Sequence, residues 1–174
     1  MKFKFISFVL SILLTNCDEC KDDPNPITEL EKLPAATQQG KNTFGCLVDG
    51  KAWVTATSTG AVAFYQENIL AIGAKITEKE REQSIGIDLY ASNIELRQYL
   101  LNEPSITGAQ FTDYTDVNKV CIYEKENLLK GILTITKYDP VNLIISGLFE
   151  FETVNTQCDT VKITDGRFDL TYAN

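Results

Sequence analysis

The sequence of 174 residues contains no histidine, and this absence removes several kinds of catalytic site. Histidine is the usual general base near neutral pH, the middle member of Ser-His-Asp triads and a common zinc ligand. Basic residues are also scarce, since 16 Lys and Arg stand against 24 Asp and Glu for a formal charge of −8. Nucleic acids bind clustered positive charge, so no nucleic-acid partner is predicted.

An apolar run at residues 5–14 follows the basic start of the chain, but it is too short to span a bilayer. Leu14-Thr15-Asn16-Cys17 comes directly after it and resembles the lipobox of a lipoprotein signal peptide, although Asn departs from the usual small residue. We therefore predict a signal peptide at residues 1–16 and a lipid on Cys17, the first residue of the mature chain. The alternative is an ordinary secretory signal with Cys17 merely nearby.

Residues 18–26 are polar, contain prolines and show no apolar periodicity, and we predict that residues 17–42 form a flexible, lipid-anchored tether. Lys21, Asp22 and Asp23 resemble the Lys-acid-acid signal that sends lipoproteins of Bacteroidota to the outer face of the outer membrane. The predicted location is the cell envelope, with lipid anchorage in the outer membrane and exposure at the cell surface. The alternative is that these charges are a solvated spacer.

Residues 43–174 are predicted to form one antiparallel β domain. Asp49-Gly50 and Glu67-Asn68 each separate two apolar runs, which is typical of tight hairpins because their turns need positive φ angles. Residues 85–91 alternate between apolar and other side chains, the two-residue period of a half-buried strand. The regular spacing of local turns favours a β-sandwich or a barrel. Further strands are predicted at residues 119–124, 129–138, 143–153 and 161–172.

One short helix is predicted at residues 92–102. Ser92 and Glu95 have the spacing of a capping box, and Leu96, Tyr99 and Leu100 would share one face. The chain that follows, around residues 108–111, is predicted to be irregular. A turn at residues 124–127 is expected to join its two neighbouring strands in a hairpin.

The last strand contains a change of phase. Val161 and Ile163 reach one face at odd positions, but Phe168 and Leu170 reach the same face only at even positions. One inserted residue restores a single apolar face. We therefore predict a β-bulge at Asp165-Gly166, with Gly166 in the left-handed conformation.

Four cysteines remain after lipidation, which allows three full pairings, and an envelope location permits disulfides. If Tyr138 faces Leu143 across their turn, Leu128 faces Thr153, and the loop that holds Cys158 lies at the same end of the sheet as the turn at residues 124–127. Cys121 lies near that end. A Cys121–Cys158 disulfide is therefore favoured, and Cys46 with Cys158 is the next choice.

The sequence contains few candidate residues for a metal site or a ligand-binding site. No cysteine pair inside the domain has zinc-site spacing and no loop has the acid pattern of a calcium site, so neither a metal nor another cofactor is predicted. Asp165 and Asp169, like Asp113 and Asp116, are interpreted as solvated turn acids rather than calcium ligands. Trp53 is a candidate stacking platform for a sugar ligand, with burial in the core as the alternative.

Residues 43–53 (TFGCLVDGKAW) open the domain, and residues 145–151 (ISGLFEF) and 163–169 (ITDGRFD) lie in its closing strands. These segments resemble a family of uncharacterised lipoprotein domains found in Bacteroidota. The resemblance covers the mature domain and implies a β fold and an envelope location. It implies no activity and no catalytic residues.

The leading functional prediction is a non-catalytic binding module, held at the membrane by its lipid, that binds a protein or glycan at the cell surface. One alternative is a carrier of small apolar ligands inside a β-barrel, and the other is a carboxylate-dependent hydrolase. An exposed aromatic patch would favour the binding module, an enclosed apolar cavity the carrier, and two facing acids in a cleft the hydrolase.

Overall fold

A computed structural model of the protein describes residues 28–55, 59–103 and 106–174. Cys17, Cys20 and the Lys21-Asp22-Asp23 trio lie outside the described residues. The described chain contains two short 3-10 helices, at Leu30–Lys32 and Lys125–Asn127. It also contains eleven strands: β1 (Thr43–Val48), β2 (Lys51–Val54), β3 (Ala61–Gln66), β4 (Ile69–Glu78), β5 (Arg81–Tyr90), β6 (Gln98–Leu100), β7 (Thr107–Asp113), β8 (Cys121–Tyr123), β9 (Leu128–Asp139), β10 (Ile144–Asn155) and β11 (Asp159–Ala173).

Both tight hairpins predicted from the sequence are confirmed. β1 turns into β2 through Asp49 and Gly50, whose φ angles are 48° and 77°. β3 turns into β4 through Glu67 and Asn68, whose φ angles are 52° and 65°. Positive φ at both central positions gives these turns the twist that paired strands require.

All eleven strands belong to one sheet, in the order β6-β9-β10-β11-β3-β4-β5-β7-β8, with β1 beside β11 and β2 beside β1. β11 serves both halves of this sheet, because most of it pairs with β10 and β1 while Tyr172 and Ala173 pair with β3. The β11–β3 pair is parallel, which departs from the antiparallel prediction. The predicted all-β fold is confirmed, and over the described ranges the sheet is open rather than closed into a ring.

The two halves of the sheet enclose one core. In it, the ring of Phe44 lies 5.8 Å from that of Trp53 and 5.0 Å from that of Phe149. Burial of such large side chains contributes most of the favourable free energy of folding. Because the inner faces are used in this way, the outer faces of both halves are the ones that solvent reaches.

The predicted helix at residues 92–102 is wrong. β6 occupies part of this segment and pairs with β9. Tyr99 is buried, and its hydroxyl donates to the Glu95 carbonyl and accepts from the Glu95 N–H. Leu96, which would lie on the apolar face of the helix, is 63% exposed. Pairing with the edge of β9 therefore outweighs a weak local preference for helix.

The next segment also differs from the prediction. Residues 108–111 belong to β7, in which Ala109 and Phe111 are buried. β8 pairs with β7 and not with β9, so residues 124–127 do not close the predicted hairpin. The sequence signal of β7 is weak because two of its inward positions are Thr107 and Ala109 rather than large apolar residues.

The predicted bulge in β11 is present, but its conformation differs. Gly166 pairs with Phe149 and Ile163 pairs with Phe151, so β11 has one additional residue between these pairs. Asp165 adopts the positive φ, at 54°, and Gly166 does not. Gly166 is needed for space instead, since a Cβ there would lie 2.5 Å from the Phe149 carbonyl oxygen and 2.6 Å from its ring.

Residues 29–42, which the sequence places in the tether, pack on the domain instead. Glu29 Oε2 accepts the Ala52 N–H of the edge strand β2 at 2.8 Å. Pro34 lies against Gly45 of β1, where a Cβ would approach the proline ring to 2.7 Å. Further hydrogen bonds attach this N-terminal segment to β11. The tether prediction does not hold for this stretch, because its polar groups find partners on the sheet.

Candidate functional site

Asp169 of β11 is a buried carboxylate and not the solvated turn acid that the sequence suggests. The residue is 1% exposed and accepts hydrogen bonds from the N-terminal segment and from β10. The donors are Thr37 Oγ1 at 2.6 Å, the N–H groups of Gln39, Gly40 and Lys41 at 3.0, 2.7 and 3.3 Å, and Ser146 Oγ at 2.8 Å. Because the chain itself supplies all these donors, Asp169 has a structural role and is not a candidate ligand for a cation.

The same hydrogen bonds set the charge of Asp169. Burial opposes ionisation of this carboxyl. The bonds from Thr37, from the loop N–H groups and from Ser146 outweigh burial and lower the pKa of Asp169 from 3.8 to about 2. Asp169 is therefore ionised at neutral pH and fastens the N-terminal segment to β11.

Trp53 is fully buried, so it is a core residue and not the predicted platform for a ligand. Its indole N–H donates to Gln83 Oε1 of β5 at 3.0 Å. Gln83 also accepts from Arg81 Nε at 3.0 Å and donates to Asp113 Oδ2 at 2.7 Å. The protein satisfies the polar group of the indole internally, which makes complete burial of Trp53 favourable.

Cys121 and Cys158 are joined by a disulfide, with their Cα atoms 5.9 Å apart. Cys121 begins β8, and Cys158 lies in the turn between β10 and β11. Nearby, Tyr123 Oη donates to the Cys158 carbonyl at 2.9 Å, and Asn155 Nδ2 donates to the Ile122 carbonyl at 2.8 Å. These contacts attach β8, one end of the strand order, to the β10–β11 turn.

Cys46, the other partner considered for Cys158, is a buried free cysteine. Burial raises the pKa of its thiol, which makes Cys46 a packing residue rather than a nucleophile. Among the described residues, no group of three or more His, Cys, Asp and Glu side chains is placed to hold a metal ion. No helix in that same part of the chain has the length and apolar character needed to cross a bilayer.

One concave surface, the outer groove, crosses the outer face of β6, β9, β10 and β11. It consists of two adjoining depressions of about 340 and 390 Å³ that share Ile132 and Glu150. Leu100 of β6 contributes apolar surface and is 52% exposed. Charge in the groove is partly paired within the protein, since Lys130 Nζ lies 3.2 Å from Glu152 Oε2. The outer groove is therefore a mixed surface with no dominant chemistry.

A second surface, the aromatic face, lies on the outer side of β3, β4, β5 and β7. It presents two aromatic side chains to solvent, because Phe64 of β3 is 51% exposed and Tyr90 of β5 is 38% exposed. Val62, beside Phe64 on β3, is 47% exposed. We define the aromatic face by these residues and by those between them: Val62, Phe64, Ala71, Gly73, Gly86, Asp88, Tyr90 and Gln110.

The register of the strands makes the centre of the aromatic face a shallow trough. Phe64 lies opposite Ala71 of β4, and Ala71 lies opposite Asp88 of β5. In the neighbouring row, Gly73 of β4 lies opposite Gly86 of β5. Ala71, Gly73 and Gly86 have no side chain beyond Cβ. Ala71 and Gly73 form the floor, whereas the Gln110 side chain covers Gly86. β3 supplies one wall, and β5 with β7 supplies the other.

Two polar side chains lie on the β5–β7 wall. Gln110 extends over Gly86, where a Cβ would lie 2.8 Å from the Gln110 amide nitrogen. Burial raises the pKa of Asp88, and the charge of Lys125 opposes that shift. In the described part of the chain, no donor forms a hydrogen bond with the Asp88 carboxylate. Asp88 therefore offers an acceptor that no described residue uses.

The aromatic face was not predicted from the sequence. Its strands β3, β4 and β5 were predicted, but most of β7 was predicted to be irregular chain. Inward and outward positions of β3 are both apolar, with Ala61 and Ala63 inside and Val62 and Phe64 outside. A run of this kind does not reveal which set faces the core. Asp88 gave a signal in principle, because its place in the alternating strand marks the outward side.

The protein is an all-β domain built on one open sheet, and a disulfide links β8 to the β10–β11 turn. The chain belongs to the family described as a domain of unknown function, DUF6252, whose pattern matches residues 41–169. This match confirms that the chain contains an uncharacterised domain. No curated protein and no solved structure matches the chain.

Proposed function

We propose that the protein is a lipid-anchored protein of the bacterial cell envelope and that its β domain is a non-catalytic binding module. The observation that carries the binding role is the exposure of Phe64 and Tyr90 on one outer face. A group of exposed apolar side chains on one face of a folded domain marks a surface of interaction, and Val62 adjoins Phe64 on the same face. The aromatic face is accordingly the proposed contact surface for a partner at the cell surface.

The proposed location is supported by the sequence. Residues 1–16 have the layout of a lipoprotein signal peptide, and Cys17 ends its lipobox. Lys21-Asp22-Asp23 and the resemblance to Bacteroidota lipoproteins support the outer membrane and exposure on its outer face. The formal charge of −8 disfavours adsorption to anionic lipid, so the acyl chains on Cys17 would supply the membrane contact.

The interior of the domain favours the binding module over the carrier of apolar ligands. The space between the two halves of the sheet is occupied by packed rings, among them Phe44, Trp53 and Phe149. A ligand would have to displace core side chains to enter there, at the cost of their packing. We therefore place ligand contact on an outer face.

Lipid anchorage is tested by Cys17→Ala in cells that express the full chain. The variant has no acyl acceptor, so it should leave the membrane fraction, while the parent should sediment with membranes. If the variant still sediments with membranes, the lipoprotein assignment is wrong.

Surface export is tested by a triple variant, Lys21→Ala with Asp22→Ala and Asp23→Ala. This variant retains Cys17, so it should remain in the membrane fraction but resist protease added to intact cells. Digestion of the triple variant as readily as of the parent would show that the three residues do not direct export.

The contact surface is tested with a photoreactive benzophenone residue at position 64 of the full chain in intact cells. Position 100 in the outer groove is the matched control, because Leu100 and Phe64 have nearly equal exposure, 52% and 51%. Irradiation should give an adduct at position 64 and none at position 100. Adducts only at position 100 would move the contact surface to the outer groove, and adducts at neither position would refute the binding role.

A further inference from the structure

The trough in the aromatic face presents two kinds of group, aromatic rings and a carboxylate, at a fixed spacing. Phe64 and Tyr90 lie two strands and two residues apart, which places them about 12 Å from each other at the usual strand spacing and rise. Asp88 lies across the trough from Phe64 in the same row, with Ala71 between them, and is two residues before Tyr90 on β5. One wall of the trough therefore carries the Phe64 ring, and the opposite wall carries the Tyr90 ring beside a carboxylate.

We propose that the aromatic face binds a neutral oligosaccharide, which lies in the trough with its sugar rings against Phe64 and Tyr90. This inference rests on the proposed function and names the ligand class for the same surface. The C–H groups on the flat side of a sugar ring carry partial positive charge and pack on the negative face of an aromatic ring. The hydroxyls at the ring edge donate hydrogen bonds, and the Asp88 carboxylate and the Gln110 amide provide acceptors for them.

The floor of the trough suits a flat ligand. Ala71 and Gly73 leave the backbone of β4 without long side chains, so a sugar ring can approach the sheet closely there, whereas the Gln110 side chain covers Gly86 on β5. At Gly73 the space is free, because an added Cβ would meet only Val62 Cγ2 at 3.8 Å and the Ile85 carbonyl oxygen at 3.9 Å. The trough is therefore open where the ligand would lie.

The negative charge at the trough favours a neutral saccharide over an acidic one. The chain carries a formal charge of −8, and Asp88 places a carboxylate on the β5–β7 wall of the trough. A uronic acid or a sulfated sugar would bring like charge to this partly desolvated carboxylate, and the charge of Lys125 offsets only part of the cost of that burial. Hydroxyl groups avoid that repulsion and still satisfy the carboxylate.

A protein partner fits the same surface less well. The core of a protein interface is a contiguous apolar patch in which side chains of both partners interdigitate. Here the two exposed rings lie on opposite walls with Asp88 beside Tyr90, and the floor between the walls offers no long side chains to interdigitate with. Alternation of apolar and polar groups over a few ångströms is instead the pattern of a sugar chain.

The test is calorimetric titration of the full chain, in a detergent without a sugar headgroup, with three neutral probes: cellotetraose, chitotetraose and mannotetraose. At least one should bind at concentrations up to about 5 mM, within the range of weak single-site affinities. An acidic probe, tetragalacturonate, should not bind. In NMR spectra of ¹⁵N-labelled protein, addition of the bound probe should change the amide chemical shifts of Ala71, Gly73 and Gly86.

Three variants locate the site. Gly73→Val fills the trough without strain, since Gly73 has no positive φ and valine suits a strand, so binding should fall at least about tenfold while the unfolding temperature stays equal or rises. Phe64→Ala should weaken binding about tenfold, and Asp88→Asn should weaken it less, because the amide retains one acceptor. Leu100→Ala in the outer groove is the control and should bind as the parent does.

Failure of this inference is distinguishable from failure of the proposed function. If no neutral probe binds, or if Gly73→Val and Phe64→Ala bind as tightly as the parent, the saccharide assignment is wrong. If photoreactive position 64 then labels a polypeptide in cells, the binding module stands with a protein partner. If position 64 labels nothing, the binding module fails as well.

Discussion

At the scale of single residues, Asp169 illustrates how burial and hydrogen bonding decide the role of a carboxylate. From the sequence it resembled other acids near turns, but the structure gives it donors from three parts of the chain. Removal of a buried acceptor leaves those donors unpaired, which costs more than the bonds themselves contribute. The sequence carried no sign of this, because Thr37 and Gly40 are about 130 residues away in the chain.

Asp169→Asn should therefore destabilise the protein by about 2 to 4 kcal/mol. The asparagine keeps the shape of the side chain, but its NH2 group faces N–H donors that it cannot accept from. Chemical unfolding of the full chain measures the change, and Ser146→Ala, which removes one donor, is the milder comparison at about 1 kcal/mol. Equal stability of Asp169→Asn and the parent would contradict the structural role.

Ionisation of Asp169 should also make the stability of the protein depend on pH. Its folded-state pKa of about 2 is below the usual 3.8, so the ionised form stabilises the fold. This contribution is complete above about pH 4 to 5 and is lost as the pH falls toward 2, with a total of about 2 kcal/mol. The difference in unfolding free energy between the parent and Asp169→Asn should narrow over that range, and a constant difference would refute the assignment.

At the scale of elements, β11 shows what a change of phase in a sequence can reveal. The pattern located the bulge correctly, because only one inserted residue lets Ile163 and Phe168 share the core face. It did not show which residue takes the unusual φ, since Asp and Gly both tolerate it. Asp165 takes it, and the glycine is instead required by the closeness of Phe149.

Gly166→Val should destabilise the protein by at least about 1 kcal/mol, and the cause is overpacking against Phe149 rather than strain in φ. Gly166→Ala separates the two causes, because its Cβ alone meets the Phe149 carbonyl oxygen at 2.5 Å. Both variants should lower the unfolding temperature, while Gly73→Val should not. If Gly166→Ala were as stable as the parent, the close contact would not be a constraint.

The other elements differ in whether neighbouring residues or residues far away in the chain determine them. The hairpins at Asp49-Gly50 and Glu67-Asn68 depend on two residues that need positive φ, so local chemistry was sufficient to predict them. β6 depends on the distant edge of β9, and the capping-box spacing of Ser92 and Glu95 was therefore misleading. Likewise, the outward direction of Phe64 depends on which side of β3 the core covers.

At the scale of the whole molecule, the disulfide prediction reached the right pair through a register that is only partly correct. Leu128 does lie opposite Thr153, but Tyr138 pairs with Ile145 rather than Leu143. Two irregularities in the β9–β10 ladder compensate for that offset. The sequence predicted which end of the sheet holds the cysteines, but the pairing of β8 with β7 was beyond it, because no local pattern records the neighbour of a three-residue strand.

The Cys121–Cys158 disulfide connects two distant places in an open sheet. β8 forms one end of the strand order and has β7 as its only strand partner in the described chain. Apart from the disulfide, three residue pairs with β7 and two hydrogen bonds to the β10–β11 turn hold it. The cross-link spans 37 positions, for which chain entropy gives a stabilisation of about 3 to 4 kcal/mol. It also fixes β8 against the β10–β11 turn, where Tyr123 Oη bonds to the Cys158 carbonyl.

Replacement of both cysteines by serine should lower the unfolding free energy by about 3 to 4 kcal/mol and speed amide hydrogen exchange first in β8. Tyr123→Phe, which removes only the hydrogen bond, should cost about 1 kcal/mol and leave the disulfide intact.

Peptide mapping of the unreduced parent should recover Cys121 and Cys158 in one linked fragment. A free thiol at either position in protein isolated from cells without reductant would refute the pairing. Uniform loss of protection over all strands would instead mean that β8 unfolds only with the whole sheet, and that the disulfide acts on the unfolded chain alone.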